Sequence, residues 1–207
     1  MRSRALLAIA VLALAAAALA PSAGAASLRP LLAPADECPG GTELDAPVKV
    51  QEKAMLCLTD FAREQRGLRR LSDDRELDRS AGRKSHDILR CDSFSHFACG
   101  HEFTYWMKRA GYLRSSCWRV GENIAWGVGD FGTVRSIFNA WLHSPEHRAN
   151  ILGRYVQSGV GLRIGGLGGR PDAHVWVQHF GSHCGRGRPE PPERHLRHDL
   201  ARSVAVG

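Results

Sequence analysis

The run SGVGLRIGGLGGRPDAHVWVQHFG, Ser158 to Gly181, alternates apolar with small or polar residues on both sides of a glycine-rich centre. Val160, Leu162 and Ile164 recur at period two, and so do Trp176, Gln178 and Phe180, which predicts two strands. Gly165-Gly166 to Asp172 supplies the turn, so the two strands form an antiparallel hairpin. Upstream the period becomes helical. Val50, Ala54, Leu58 and Phe61 recur at helical spacing and stop at Gly67. Asp73 with Glu76 three residues later reads as a capping box opening a second helix through Leu77, Ala81 and Ile88. Thr104 to Gly111 makes a short third helix. Thr133 caps a fourth, where Val134, Ile137, Phe138 and Trp141 line one buried face. Helices first and paired strands last predict an α+β domain whose helices cover a small antiparallel sheet.

The first residues have the three parts of a secretory signal: a basic tip (Arg2, Arg4), an apolar run from Ala5 to Ala20, and a small-residue exit at Ala23-Gly24-Ala25. The expected organisation is a signal peptide over 1–25, a Pro- and Gly-rich linker over 26–47, a folded domain over 48–184 and a disordered tail over 185–207. Pro21 closes the apolar run short of the roughly 20 residues that cross a bilayer, so no membrane span is expected in the mature chain. The expected location is extracellular, or periplasmic if the cell has an outer membrane. All six cysteines, Cys38, Cys57, Cys91, Cys99, Cys117 and Cys184, lie beyond the signal, where an even number reads as disulfides. Their pairing is open, with a local Cys91–Cys99 bridge as one candidate. The formal charge of +7 favours proximity to anionic envelope polymers or lipid headgroups. No nucleic-acid motif appears, so a nucleic-acid partner is not expected.

His143-Ser144-Pro145-Glu146-His147 fits the H-x-x-E-H pattern of inverted zinc peptidases. That pattern needs both histidines on one face of a continuous helix, and Pro145 lacks the N–H and clashes with the preceding turn. The fourth helix therefore ends near His143, and a new one begins with Ser144 as N-cap, Pro145 at the first position and Glu146 in the first turn. His147 then lies in that first turn, where the helix dipole disfavours imidazolium and keeps the ring neutral. Glu122, between Gly121 and Asn123 and followed by Ile124 and Ala125, reads as a carboxylate entering a partly buried strand, which needs partners there. His101, His174, His179 and His183 have no carboxylate context in the sequence and are expected to be structural.

Taken together, SFSH (93–96), RAGY (109–112), GENIAWG (121–127), AWLHSPEHRANIL (140–152), SGVGLRI and WVQHFG resemble, in order and spacing, the CAP superfamily of cysteine-rich secretory, antigen 5 and pathogenesis-related 1 proteins, in its short bacterial form. The resemblance covers about residues 48–181. It implies a three-layer α/β/α sandwich with a shallow cleft lined by two histidines and acidic residues, here His96, Glu122 and His147. Many eukaryotic relatives have W-x-x-E after the helical tryptophan, and here Ser144 stands three places beyond Trp141. The expected ligand cleft is thus His96, Glu122, Ser144 and His147, with His96 and His147, joined by Glu122, as candidate ligands of a divalent metal such as zinc. With no second carboxylate as base and no Ser or Cys nucleophile in a catalytic motif, the expected function is an extracellular binding module without assigned catalytic residues, for an unidentified envelope, lipid or protein ligand. The alternatives are a metal-dependent hydrolase or peptidase, and an envelope-associated structural domain.

Overall fold

A computed structural model describes residues 30–183 and the backbone of Val204–Ala205; the predicted signal peptide and most of the predicted tail lie outside the described residues. In chain order the elements are α1 (Val48–Glu64), β1 (Ser72–Asp73), α2 (Arg75–Arg90), α3 (Thr104–Ala110), β2 (Trp118–Gly127), α4 (Val134–His143), α5 (Pro145–Ile151), β3 (Gln157–Leu167), β4 (Arg170–His183) and β5 (Val204–Ala205). The sheet order is β1-β3-β4-β2-β5, with the three long strands β3, β4 and β2 antiparallel and the two-residue strands added parallel at the edges. The architecture is α+β, as predicted. Two residues of the predicted tail, Val204 and Ala205, pair with Ala125 and Trp126.

Period two along the strands sorts the core into two faces. Ala125, Val160, Leu162, Trp176 and Phe180 point to one side and pack with Ala54, Met55 and Leu58 of α1, Ile137, Phe138 and Trp141 of α4, and Ile151 of α5. Ile124, Val175 and Val177 point to the other and pack with Ala81 and Ile88 of α2. A third cluster joins Leu77 of α2 and Met107 of α3 to Tyr112 and Val120. Helices therefore lie on both faces of one sheet.

Helix α2 rests unusually close to that sheet because β3 presents glycine to it. A Cβ at Gly159 would stand 2.2 Å from the Asp78 backbone nitrogen, and one at Gly161 would stand 2.3 Å from that of Gly82. Only a residue without Cβ admits the helix backbone at that distance. The contact brings the α2 side chains between Leu77 and Lys84 onto the centre of the sheet.

Several details depart from the expectation. The N-cap of α2 is Asp74, whose carboxylate accepts from the N–H groups of Glu76 and Leu77, while Asp73 belongs to β1 and pairs with Ser158. The hairpin turns at Gly168 and Gly169, both at positive φ, and Gly165 to Leu167 form an irregularity within the ladder. Val50 and Ile164 are exposed; the buried stripe of α1 runs instead through Ala54, Met55, Leu58 and Ala62. From Leu31 the stretch read as a linker packs on the fold: Ala33 and Cys38 are buried in the core, and a Cys38–Cys57 disulfide fastens it to α1. Cys91 and Cys99 form the expected local bridge, and Cys117 is also disulfide-bonded. Among the described residues no helix is long and apolar enough to cross a membrane.

Candidate functional site

Glu122 sits mid-strand in β2, directly opposite His179 of β4. Residues paired across an antiparallel ladder share a face, and this pair faces α2. His179 Nε2 lies 2.8 Å from Glu122 Oε2, and on its other side Nδ1 lies 2.6 Å from the Ser80 hydroxyl of α2. His96, on the loop after α2, brings its Nδ1 to 2.6 Å from Glu122 Oε1. Buried Lys84 of α2 donates to the His96 carbonyl at 2.5 Å and so fixes that loop. Both carboxylate oxygens are thus occupied by imidazole nitrogens.

Burial by itself raises the pKa of a carboxyl group. At Glu122 the hydrogen bonds from His179 and His96 outweigh burial, aided by the charges of His179 and Lys84, and hold the group at about 2. An ionised Glu122 only accepts, so His96 Nδ1 and His179 Nε2 both carry protons. A neutral His96 is then locked in one tautomer with Nε2 as a lone pair. That atom is buried and has no hydrogen-bond partner among the described residues.

His147 lies in α5, as expected from the break at Pro145. Helix α4 ends at His143 and Ser144 takes the extended N-cap conformation, although its hydroxyl makes no capping bond. The His143 ring is exposed and bonds the Asn139 carbonyl, so the two histidines of the H-x-x-E-H run belong to different helices and share no site. Asn123 of β2 donates to the His147 carbonyl at 3.1 Å, and Asn150 donates to the carbonyl of Glu122 and to the Asn123 side chain. This ladder of amides clamps α5 to β2 beside Glu122. The His147 imidazole is 1% exposed, tilts against Trp141 with ring centroids 6.2 Å apart, and leaves both ring nitrogens without partners among the described residues. Burial, and secondarily repulsion from His96, push its pKa down to about 4. The ring is neutral as expected, but burial is the main cause where the helix dipole was the expected one.

The structure therefore brings His96 and Glu122 into direct contact and places His147 close enough to feel the charge of His96. No hydrogen bond joins Ser144 to this group among the described residues. Glu122 orients two imidazoles with oxygens that are already filled, and among the described residues no group of three His, Cys, Asp or Glu side chains is disposed to hold a metal ion. Beside Glu122, among the described residues, His96 and His147 supply the unpartnered nitrogens; His174 Nε2, also unpartnered, belongs to the far end of β4. Sequence reading missed His179, Ser80 and Lys84. His179 and His101 do have carboxylate partners, Glu122 and Asp87 respectively, 2.8 Å away in each case. The register between β2 and β4 is what pairs Glu122 with His179, and no local pattern encodes it.

The profile of the Cysteine-rich secretory protein family matches residues 58–180. This chain belongs to that family. The uncharacterized protein YkwD of Bacillus subtilis is 32% identical over 151 residues, covering 72% of this chain and 54% of its own length. The chain thus spans about half of that curated relative. Among solved structures, an extracellular protein containing a SCP domain from Bacillus anthracis superposes with a TM-score of 0.53 at 22% identity, over 64% of this chain and 40% of that one. An outer surface protein of Borrelia burgdorferi gives 0.55 at 18% identity, over 67% and 96% respectively. At these identities the two structures establish a shared fold.

Proposed function

We propose that this CAP-family chain is an exported, extracellular binding module that takes its ligand at the His96 and His147 imidazoles, with Glu122 holding His96 in position. The observation that carries the reading is that three imidazole nitrogens in one buried neighbourhood, His96 Nε2 and both nitrogens of His147, lack hydrogen-bond partners among the described residues. Buried polar atoms are ordinarily satisfied, so orphaned nitrogens mark where a ligand completes the site. A divalent ion such as zinc fits neutral imidazole nitrogens and would be held weakly by two of them, its remaining positions open to water or ligand atoms. Bound there, it would act as a Lewis acid toward an oxygen-bearing ligand.

Catalysis is poorly served by the same geometry. Ser80, His179 and Glu122 are the residue types of a hydrolase triad, but the ring nitrogens are exchanged, with Nδ1 toward Ser80 and Nε2 toward Glu122, and Ser80 is fully buried beneath the sheet, where its hydroxyl donates to the Leu77 carbonyl at 2.8 Å. No substrate carbonyl reaches it. Secretion through the N-terminal signal, an envelope, lipid or protein partner, and the cleft role of Ser144 belong to the same proposal.

Calorimetric titration with zinc tests it. One ion should bind per chain, with binding abolished by His96→Ala and by His147→Ala and retained in His143→Ala. Binding unchanged in the first two variants refutes the site. Turnover of a peptide or ester library that disappears in His147→Ala would replace the binding module with the hydrolase.

A further inference from the structure

Helices α2 and α3 pack side by side, and between their outer faces lies a cavity of about 430 Å³. Its walls are Arg79 and Arg83, one turn apart on α2, and Trp106, Arg109 and Ala110 on α3. The spacing i, i+4 on one helix and i, i+3, i+4 on the other sets these side chains on facing stripes. We propose that this groove is a second binding site, taking a phosphate ester whose phosphate is held by the arginines and whose ring or apolar body lies against Trp106.

The charges are arranged for an anion. Arg79 has a long contact with Glu76, 3.9 Å, and donates to the Ala110 carbonyl. Glu76 also pairs with Arg114 and is the acid at the rim. Among the described residues neither Arg83 nor Arg109 has a carboxylate partner. Surface arginines left without acids around a concavity leave forked donors matched to phosphate oxygens. The remaining wall is built rather than incidental. Trp106 donates its indole N–H to buried Asp87 at 2.7 Å, and His101 holds the same carboxylate oxygen at 2.8 Å while stacking on Tyr105 with ring centroids 3.9 Å apart. The indole is thereby fixed, with Arg83 over its ring at 6.0 Å from the centroid. The hollow exceeds what a bare phosphate fills and falls in the range of small-ligand sites, which is why the ligand carries a body as well as a charge.

The test uses phenyl phosphate, inorganic phosphate, and vesicles of phosphatidylcholine with and without phosphatidylglycerol, at constant ionic strength. The Trp106 indole N–H resonance should shift on titration, with phenyl phosphate binding more tightly than inorganic phosphate. The double variant Arg83→Gln, Arg109→Gln should weaken binding about tenfold or more, because it removes two charge-assisted contacts. Arg170→Gln, exposed on the hairpin and outside the groove, should change nothing. Recruitment to phosphatidylglycerol vesicles that the double variant loses identifies the source as a lipid headgroup. Binding of the soluble ester alone identifies a free or polymer-borne phosphate. Both support the site. Binding indifferent to the double variant, equal loss in Arg170→Gln, or no binding of any probe overturns it.

Discussion

Replacing Glu122 with glutamine keeps the shape of the side chain and removes its charge, so it isolates what the carboxylate contributes. In the folded protein the group is held at about 2 against an ordinary value of 4.5. Its side chain is 1% exposed, so solvent screens the interaction little. The gap between these two values corresponds to about 3 kcal/mol of stability from the ionised form. The sign follows from the direction of the shift. A depressed carboxyl pKa stabilises the fold fully above pH 4.5, and that contribution disappears as pH falls toward 2. Urea unfolding should therefore find Glu122→Gln about 3 kcal/mol less stable than the parent at pH 7, with the gap narrowing by more than half at pH 3. Glu122→Ala should be at least as damaging at neutral pH, since it strands two buried imidazole N–H groups at about 1–3 kcal/mol each. A gap that stays constant between pH 4.5 and 3, or a glutamine variant as stable as the parent at pH 7, would refute the bonding assigned to Glu122.

The His147 ring should titrate near 4 by NMR; because its folded pKa lies below the ordinary 6.5, its burial should erode stability as pH falls from 6.5 toward 4. A titration at or above 6.5 would show the ring exposed or paired. Gly161→Ala should destabilise by about 1–3 kcal/mol, since its methyl meets the backbone of Gly82 rather than a movable side chain. It should also perturb the His179 resonances through Ser80; a variant with unchanged melting temperature would mean that α2 has room to retreat.

How much of this was legible in the sequence varies by element. The stripe Val134, Ile137, Phe138 and Trp141 is fully buried as read, because four large apolar residues at helical spacing admit one solution. The break at Ser144-Pro145 was equally plain, since proline chemistry is local. His96, Glu122 and His147 emerged from motif resemblance, and their arrangement follows from tertiary packing. Asp73 and Asp74 offer equivalent caps, and only the pairing of Asp73 with Ser158 decides between them. The five glycines between Gly161 and Gly169 left several possible turns. No local pattern marks Lys84 or Arg63 as interior, yet both are buried, Lys84 against the His96 carbonyl and Arg63 bonding four backbone carbonyls from Arg69 to Tyr155. Such side chains satisfy loop backbone that α helices and strands leave unpaired, and their partners are remote in sequence.

The docked segment ahead of α1 has a mechanical consequence. Arg135 grips the Ala33 carbonyl with its guanidinium and the Gly41 carbonyl with its backbone N–H, and sulfur joins Cys38 to Cys57. Tension that peels the segment away from Leu31 and Ala33 stops at Cys38 and crosses directly to the middle of the first helix. The intervening stretch, including the opening turns of that helix, is spared the pull. For the exported module proposed above, a covalent shortcut of this kind would protect the N-terminal seam from being unzipped.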